Sequence, residues 1–249
     1  MRMRFGIVPA VLLLVLIAPA SDVRAAAEVH RLNLVISTVP TQVRAGDFNG
    51  VIDDVNRTLL APYNLEPLPK IKLSWMFDAE LRYFARQNLA VNVGVTRLRA
   101  GTSQEYLPQI GASNTLRADI TSIPIHAGVA YYLTPYNQGD FQARAYLGGG
   151  FMNMVYNRAT LQWLGTGIPG GQSFRVTGTN DGPGFYGEVG AHLFFAGKLS
   201  VLLSGLYRSN QVRNLVDENT GAVIVNAQGE PVSLDVGGAG FRMAVGIGF

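Results

Sequence analysis

The sequence predicts an all-β protein: an eight-stranded antiparallel up-and-down transmembrane β-barrel, with a short amphipathic helix in its first long loop. Three observations carry that prediction. Apolar and polar residues alternate with period two in eight separate segments, and the connections between the segments are alternately long and short. The chain also ends on GFRMAVGIGF, a strand pattern whose odd positions, Phe241, Met243, Val245, Ile247 and Phe249, are all apolar. Successive side chains of a strand point to opposite faces, so each such segment is built to meet two different solvents. An even strand number returns both termini to one side of the membrane.

The chain starts MRMRFGIVPAVLLLVLIAPASDVRAAA, with basic residues, an apolar run and a small-residue tract, so residues 1–27 read as a cleaved signal peptide. The run is broken by Pro9 and Pro19 and falls short of the ~20 residues that a spanning helix needs. Without this leader 17 basic and 16 acidic residues remain, which leaves no basic patch for nucleic acid. Cysteine is absent, so no disulfide staples the exported chain and no thiolate can act as nucleophile or ligand. Residues 28–249 read as one barrel domain.

The first segment is 31–38. The long connection after it holds AGDFNGVIDDVNRTLLAPYNL, in which Phe48, Val51, Ile52, Val55 and Leu59 recur at helical spacing. A helix from about Asp47 to Leu60 is expected, with Asp47 as N-cap and Pro62 as stop. Asp47, Asn49, Asp53 and Asp54 depart from the spacing of a calcium loop and lack its terminal Glu, so no metal is assigned.

The second segment, 70–85, sends Ile71, Leu73, Trp75, Phe77, Ala79, Leu81 and Tyr83 to one face and Lys72, Ser74, Asp78, Glu80 and Arg82 to the other. With the apolar face against lipid, the second set lines the lumen. The third segment is 88–100. The fourth, 115–133, turns Ser122 and His126 inward and Ile123, Ile125, Val129 and Tyr131 outward, and the fifth, 141–157, turns Gln142, Arg144 and Tyr146 inward. The sixth, 182–196, turns Glu188 and His192 inward. The seventh, 198–211, is the least regular, because Leu202 and Leu206 dilute its inner face; the eighth, 234–249, turns Arg242 inward. Short connections lie at Arg86-Gln87, 134–140 and Gly197, while the long ones include GTSQEYLPQIGASN and GTGIPGGQSFRVTGTND.

Aromatic residues gather beside the short turns. Tyr83, Tyr131, Phe141 and Phe195, with the adjoining Phe84, Tyr132 and Phe194 and the terminal Phe249, form an expected girdle at the membrane interface. The inward set Asp78, Glu80, Arg82, Arg144, Glu188, His192 and Arg242 mixes both signs. The interior of an eight-stranded barrel is just wide enough for side chains, so these charges are expected to pair and plug it, Arg82 with Glu188 being the pair singled out. Ser122 and His126 lie about 13 Å apart along one strand, too far for a nucleophile and its base. No catalytic residue, cofactor or metal is assigned.

ITSIPIHAGVAYYL, GFYGEVGAHLFFAGKLSVLLSGLYR and the aromatic-terminated last strand resemble the small outer-membrane β-barrel proteins of Gram-negative bacteria, of the OmpA, OmpX and OmpW type, over essentially all of 28–249. The resemblance implies a cell-envelope protein of the outer membrane, with extracellular long loops and periplasmic termini. It implies that Phe241, Met243, Val245, Ile247 and Phe249 form a sorting signal read by the barrel-assembly machinery after escort by periplasmic chaperones. Outer-membrane lipids are then the surrounding partner, no nucleic acid is involved, and no ligand is specified. A non-enzymatic structural or surface-interaction role follows, with a porin-like small-solute channel or a hydrophobic-ligand conduit as the alternative.

Overall fold

Eight long strands, each apolar on alternate residues, pair in sequence order and close on themselves. The computed structural model describes residues 29–106, 114–165 and 175–249; the predicted signal peptide, 1–27, lies outside the described residues. The barrel strands are β1 (Leu32–Gln42), β2 (Leu73–Arg86), β3 (Leu89–Tyr106), β4 (Asn114–Tyr132), β5 (Phe141–Leu164), β6 (Gly182–Phe195), β7 (Leu199–Val212) and β8 (Gly238–Gly248). Every neighbouring pair is antiparallel, and the last strand meets the first with Ile36 opposite Val245 and Thr38 opposite Met243. Closure pairs the edge backbone groups, which hydrocarbon could not hydrogen-bond.

Several boundaries differ from the sequence reading. Strands β3 and β5 run on past residues 100 and 157, with Tyr106 opposite Asn114 and Thr115 opposite Leu164. The outer face of this extension is polar (Arg117, Asp119, Glu105), so hydrophobic alternation fades although the ladder continues. Its inner face stays apolar and buried through Leu116, Ile120, Leu161 and Trp163. Strand β2 starts only at Leu73. Ile71 is therefore buried under the first loop and Lys72 is exposed, the reverse of the lipid and lumen assignments that strand phase gave them. Residues 234 and 235 pair briefly with β7, and β8 begins at Gly238, whose φ of 155° breaks the strand. Pro124 cannot donate to the ladder; there the register slips so that Ile123 faces Tyr156 and Pro124 faces Met154.

The first loop folds over the barrel mouth. Helix α1 (Asp47–Val55) continues as a π-helix, Asn56–Leu60, and a 3₁₀ turn, Ala61–Tyr63. Gly46, not Asp47, occupies the N-cap position, and its φ of 52° suits glycine. The Asp47 carboxylate instead accepts from the Ser233 amide at 3.0 Å and hydroxyl at 2.6 Å, tying the first loop to the last. Asn49 pairs with both backbone groups of Ile71 and Asn56 with both of Leu68, which pins the returning chain against the helix. Asp53 pairs with Lys70 and Asp54 with Arg57, so the acidic residues of this segment are engaged. Phe48, Ile52, Leu60, Leu68 and Ile71 pack with Val43, Met76 and Leu234 in one apolar cluster. The helix is a lid seated on the lumen.

Ile52 is fully buried at the centre of this lid. Ile52→Ala should cost the lid about 2–5 kcal/mol, from lost burial and the cavity left behind. Amide exchange over residues 43–71 should accelerate while the strand amides and the heat-dependent gel mobility of the folded barrel stay as in the wild type.

Candidate functional site

Period-two alternation puts Asp78, Glu80 and Arg82 of β2 on the lumen side, one above another. The ladder brings the rest to the same level. Arg242 enters from β8 and crosses over β1, where the small Ser37 leaves it room and accepts from its Nε at 3.0 Å. Its two Nη atoms lie 2.6 Å from Asp78, 3.2 Å from Glu80 and 3.3 Å from Glu188. Arg82 binds Glu80 at 2.7 Å, reaches Glu188 at 3.7 Å and donates to the Tyr132 hydroxyl at 2.7 Å. Its guanidinium also stands 5.1 Å from the Tyr146 ring centre. The remaining carboxylate lone pairs are taken by neutral donors: Thr96 to Asp78, Asn92 to Glu80, and Tyr146 and Ser204 to Glu188. All five charged groups are nearly fully buried.

Two glycines make this layer possible. A Cβ on Gly94 would come within 2.7 Å of the His126 ring, and one on Gly128 within 2.4 Å of the Tyr186 hydroxyl. With both positions empty, His126 sets its ring nitrogens 3.7 Å from Asp78 and 3.5 Å from Glu80, and Tyr186 meets Asn92 at 3.0 Å.

The structure parts the predicted set. Arg82 does reach Glu188, but its close partner is Glu80, two residues along the same strand. Arg144 joins no carboxylate among the described residues: it donates to the Gln142 side chain and the Gln87 carbonyl, next to the Phe194 ring. His192 hydrogen-bonds Tyr132 and Ser200 and stacks near Phe194. Both belong to a floor at the short-turn end, not to the charged layer. Phe84, Tyr132 and Phe194 also turn inward to build that floor, with Phe84 5.0 Å from Tyr132 and 6.1 Å from Phe194, whereas Tyr83, Tyr131 and Phe195 are exposed outside and Phe141 is half-buried. On β8, Phe241 and Ile247 are exposed and Met243 and Val245 are half-buried on the same outer face, and Phe249, just past the strand, is exposed.

Arg208 was missed by the sequence reading. It is buried beside Met76 and Thr41 with no carboxylate within ion-pair distance among the described residues. Its even position, in phase with Ser200 and Ser204, was the available signal, blurred by Leu202 and Leu206. Arg208, His126, Met152 and Leu206 line a cavity of about 30 Å³, room for a water or two.

Asp78, Glu80 and His126 have ligand atoms within 4.8 Å of one another, a spacing a metal ion could use. Arg242 already occupies both carboxylates, so a cation would have to displace a guanidinium. Ser122 donates to Asn157 and Met154 and makes no bond to His126, so the geometry assembles no nucleophile and base there.

No family model matches the chain, and neither does any curated protein. Solved structures do align with it. Neisserial surface protein A is 14% identical, covering 88% of this chain and 97% of its own, with a TM-score of 0.43. The attachment invasion locus protein Ail of Yersinia pestis is 13% identical, with 88% and 98% covered and a TM-score of 0.35. The N-terminal β-barrel domain of Pseudomonas aeruginosa OprF is 10% identical, with 87% and 97% covered and a TM-score of 0.34. All three are small eight-stranded outer-membrane barrels; that this chain is an eight-stranded barrel rests on its own strand order and closure.

From the short-turn end upward the lumen thus holds an aromatic floor, a charged layer and an apolar lid. Arg242 is the group that touches all three carboxylates. Arg242→Ala should lower barrel stability by about 3–5 kcal/mol, because it leaves buried carboxylates short of a counter-charge. Arg144→Ala, which strands no opposite charge, should cost much less. Thermal unfolding of the two variants in detergent measures the difference.

Proposed function

We propose that this protein is a non-conducting β-barrel of the Gram-negative outer membrane, its long loops extracellular and its termini periplasmic, with a structural or surface-interaction role. The observation that carries the reading is the filled lumen. A solute crossing it would have to part the Phe84, Tyr132 and Phe194 floor, break Arg242 from three carboxylates and lift the α1 lid. Breaking one buried ion pair alone costs several kcal/mol. The alternatives, a small-solute channel or a conduit for hydrophobic ligands, need a continuous path that these three layers interrupt. The lid and the strand extensions form a fixed platform on the long-loop side, and such a platform suits contact with other molecules.

The outer wall supports the membrane setting. Ile36, Phe77, Val93, Val129, Leu147, Phe151, Phe185 and Val189 are exposed on successive strands, a belt that water would disfavour and lipid would not. The aromatic-terminated β8 is proposed as the segment read by the assembly machinery, and no enzymatic activity is assigned.

Purified wild-type barrel in a planar bilayer should give no steady single-channel steps. Reproducible steps whose ion preference changes in Arg242→Ala would overturn the sealed reading in favour of a channel. Arginine at Val245, which faces outward opposite Ile36 and Val201, should cost about 2–4 kcal/mol, whereas arginine at the loop residue Asn219 should cost nothing measurable. Urea unfolding in lipid vesicles reads both.

A further inference from the structure

The outside of β3 changes character abruptly. Val91, Val93 and Val95 are exposed toward lipid, and the next two outward residues are Arg97 and Arg99. Neither guanidinium makes a hydrogen bond or ion pair among the described residues. Nearby cations of the same rim are neutralised, Arg117 by Asp119 and Arg158 by Glu218. Across the ladder Phe77 faces Arg97 and Trp75 faces Arg99, and both rings are exposed.

Height settles what these arginines meet. Tyr131, opposite Leu89, belongs to the short-turn aromatic band. Arg97 and Arg99 lie eight and ten residues further along β3, which at ~3.4 Å per residue and a tilt of ~40° places them roughly 21 and 26 Å above that band. The hydrocarbon belt of such a barrel is about 25 Å tall, so Arg99 stands at the headgroup level on the long-loop side, and Arg97, whose Cα lies about 4 Å short of it, reaches that level by extending its long side chain outward. Two like charges on one strand face, with Cβ atoms about 7 Å apart, repel unless an anion lies between them. Guanidinium forks match phosphate oxygens and bind them by paired charge-assisted hydrogen bonds, and an adjoining tryptophan suits the interface between acyl chain and sugar.

We propose that Arg97 and Arg99, flanked by Trp75 and Phe77, bind the phosphate of a phosphorylated glycolipid in the outer leaflet. The site rests on the membrane orientation proposed above. It holds lipid against one side of the barrel, the side on which β3, β4 and β5 rise above the membrane.

The test uses the barrel folded in a phosphate-free maltoside detergent, with bis-phosphorylated lipid A as probe. Trp75 is a local reporter, because the other tryptophan, Trp163, is buried in the lid cluster. Lipid A should shift the tryptophan emission and remain bound in native mass spectra. Arg97→Gln with Arg99→Gln should weaken that binding about tenfold or more, since each lost charge-assisted bond is worth more than 1 kcal/mol. Each single variant should lose part of it, and the paired lysine variant should keep part. Lipid A stripped of both phosphates should bind no better to wild type than to the double glutamine variant. Equal retention of lipid A by wild type and double variant, or retention of the dephosphorylated lipid by wild type as strong as that of intact lipid A, would overturn the site. Displacement of lipid A by millimolar inorganic phosphate would mean a free-anion site instead and would equally overturn it. Vesicle insertion separates this proposal from its premise: a barrel that fails to insert sinks both, and one that inserts but holds lipid A without regard to Arg97 and Arg99 sinks this one alone.

Discussion

A barrel of eight strands encloses too little space for bulk water, so a charge that faces inward must find its partners in protein: carboxylates for Arg82 and Arg242, neutral acceptors for Arg144 and Arg208. That constraint organises the inner half of the sequence. Arg242 satisfies three carboxylates at once because β1 offers Ser37 where a larger side chain would block its path. His126 and Tyr186 approach the layer because Gly94 and Gly128 carry no side chain. The neutral donors Thr96, Asn92, Ser204 and Tyr146 take up lone pairs that two guanidinium groups cannot reach. Removing any of the charges leaves others stranded, and so the layer behaves as a unit.

The lid follows from the same geometry. Above the charged layer the inner faces of β2 to β5 turn apolar, with Met76, Leu98, Ile120 and Met154, and an apolar funnel open to water would be unstable. Helix α1 supplies the missing wall. Its apolar stripe fits there because the loop is anchored at both ends: Asp47 to Ser233 on the last loop, Asn49 and Asn56 to the chain returning toward β2. The lid caps the charged layer, and the layer gives the polar residues of the strands somewhere to go.

The outer face of the barrel was legible in the sequence, and the inner face only by side. Lipid demands apolar residues at every second position, so strand number, strand order and the helix over Asp47 to Leu60 could be read directly. Partners inside could not, because phase fixes the face of a residue while the register of distant strands fixes its height. Arg82 was matched to Glu188 on that basis, although Glu80 stood two residues away. Arg144 has the right face and the wrong level. The strand extensions past Ala100 and Asn157 were invisible for a different reason: above the membrane the outer face meets water, the alternation weakens, and only the ladder persists. Arg208 was hidden by two leucines on its own inner face.

Buried ion pairs are weak contributors to stability, and an apolar filling of equal volume would hold a barrel of this size together at least as well. The polar lumen therefore needs another reason, and the proposed route to the outer membrane offers one. Strands β3, β4 and β5, of 18, 19 and 24 residues, would be long enough to lodge as helices in a membrane if they were apolar on both faces. Inward polar residues break those strands: Asn92 and Thr96 in β3, Ser122 and His126 in β4, and Gln142 and Arg144 in β5. No helix among the described residues is long and apolar enough to cross a membrane. Such strands become compatible with lipid when closure turns their polar residues inward, where they meet their partners. On the outer-membrane reading proposed above, a polar lumen suits a chain that passes one membrane before it settles in another, and the mutual proximity of the charges in the closed barrel is what makes the arrangement tolerable there.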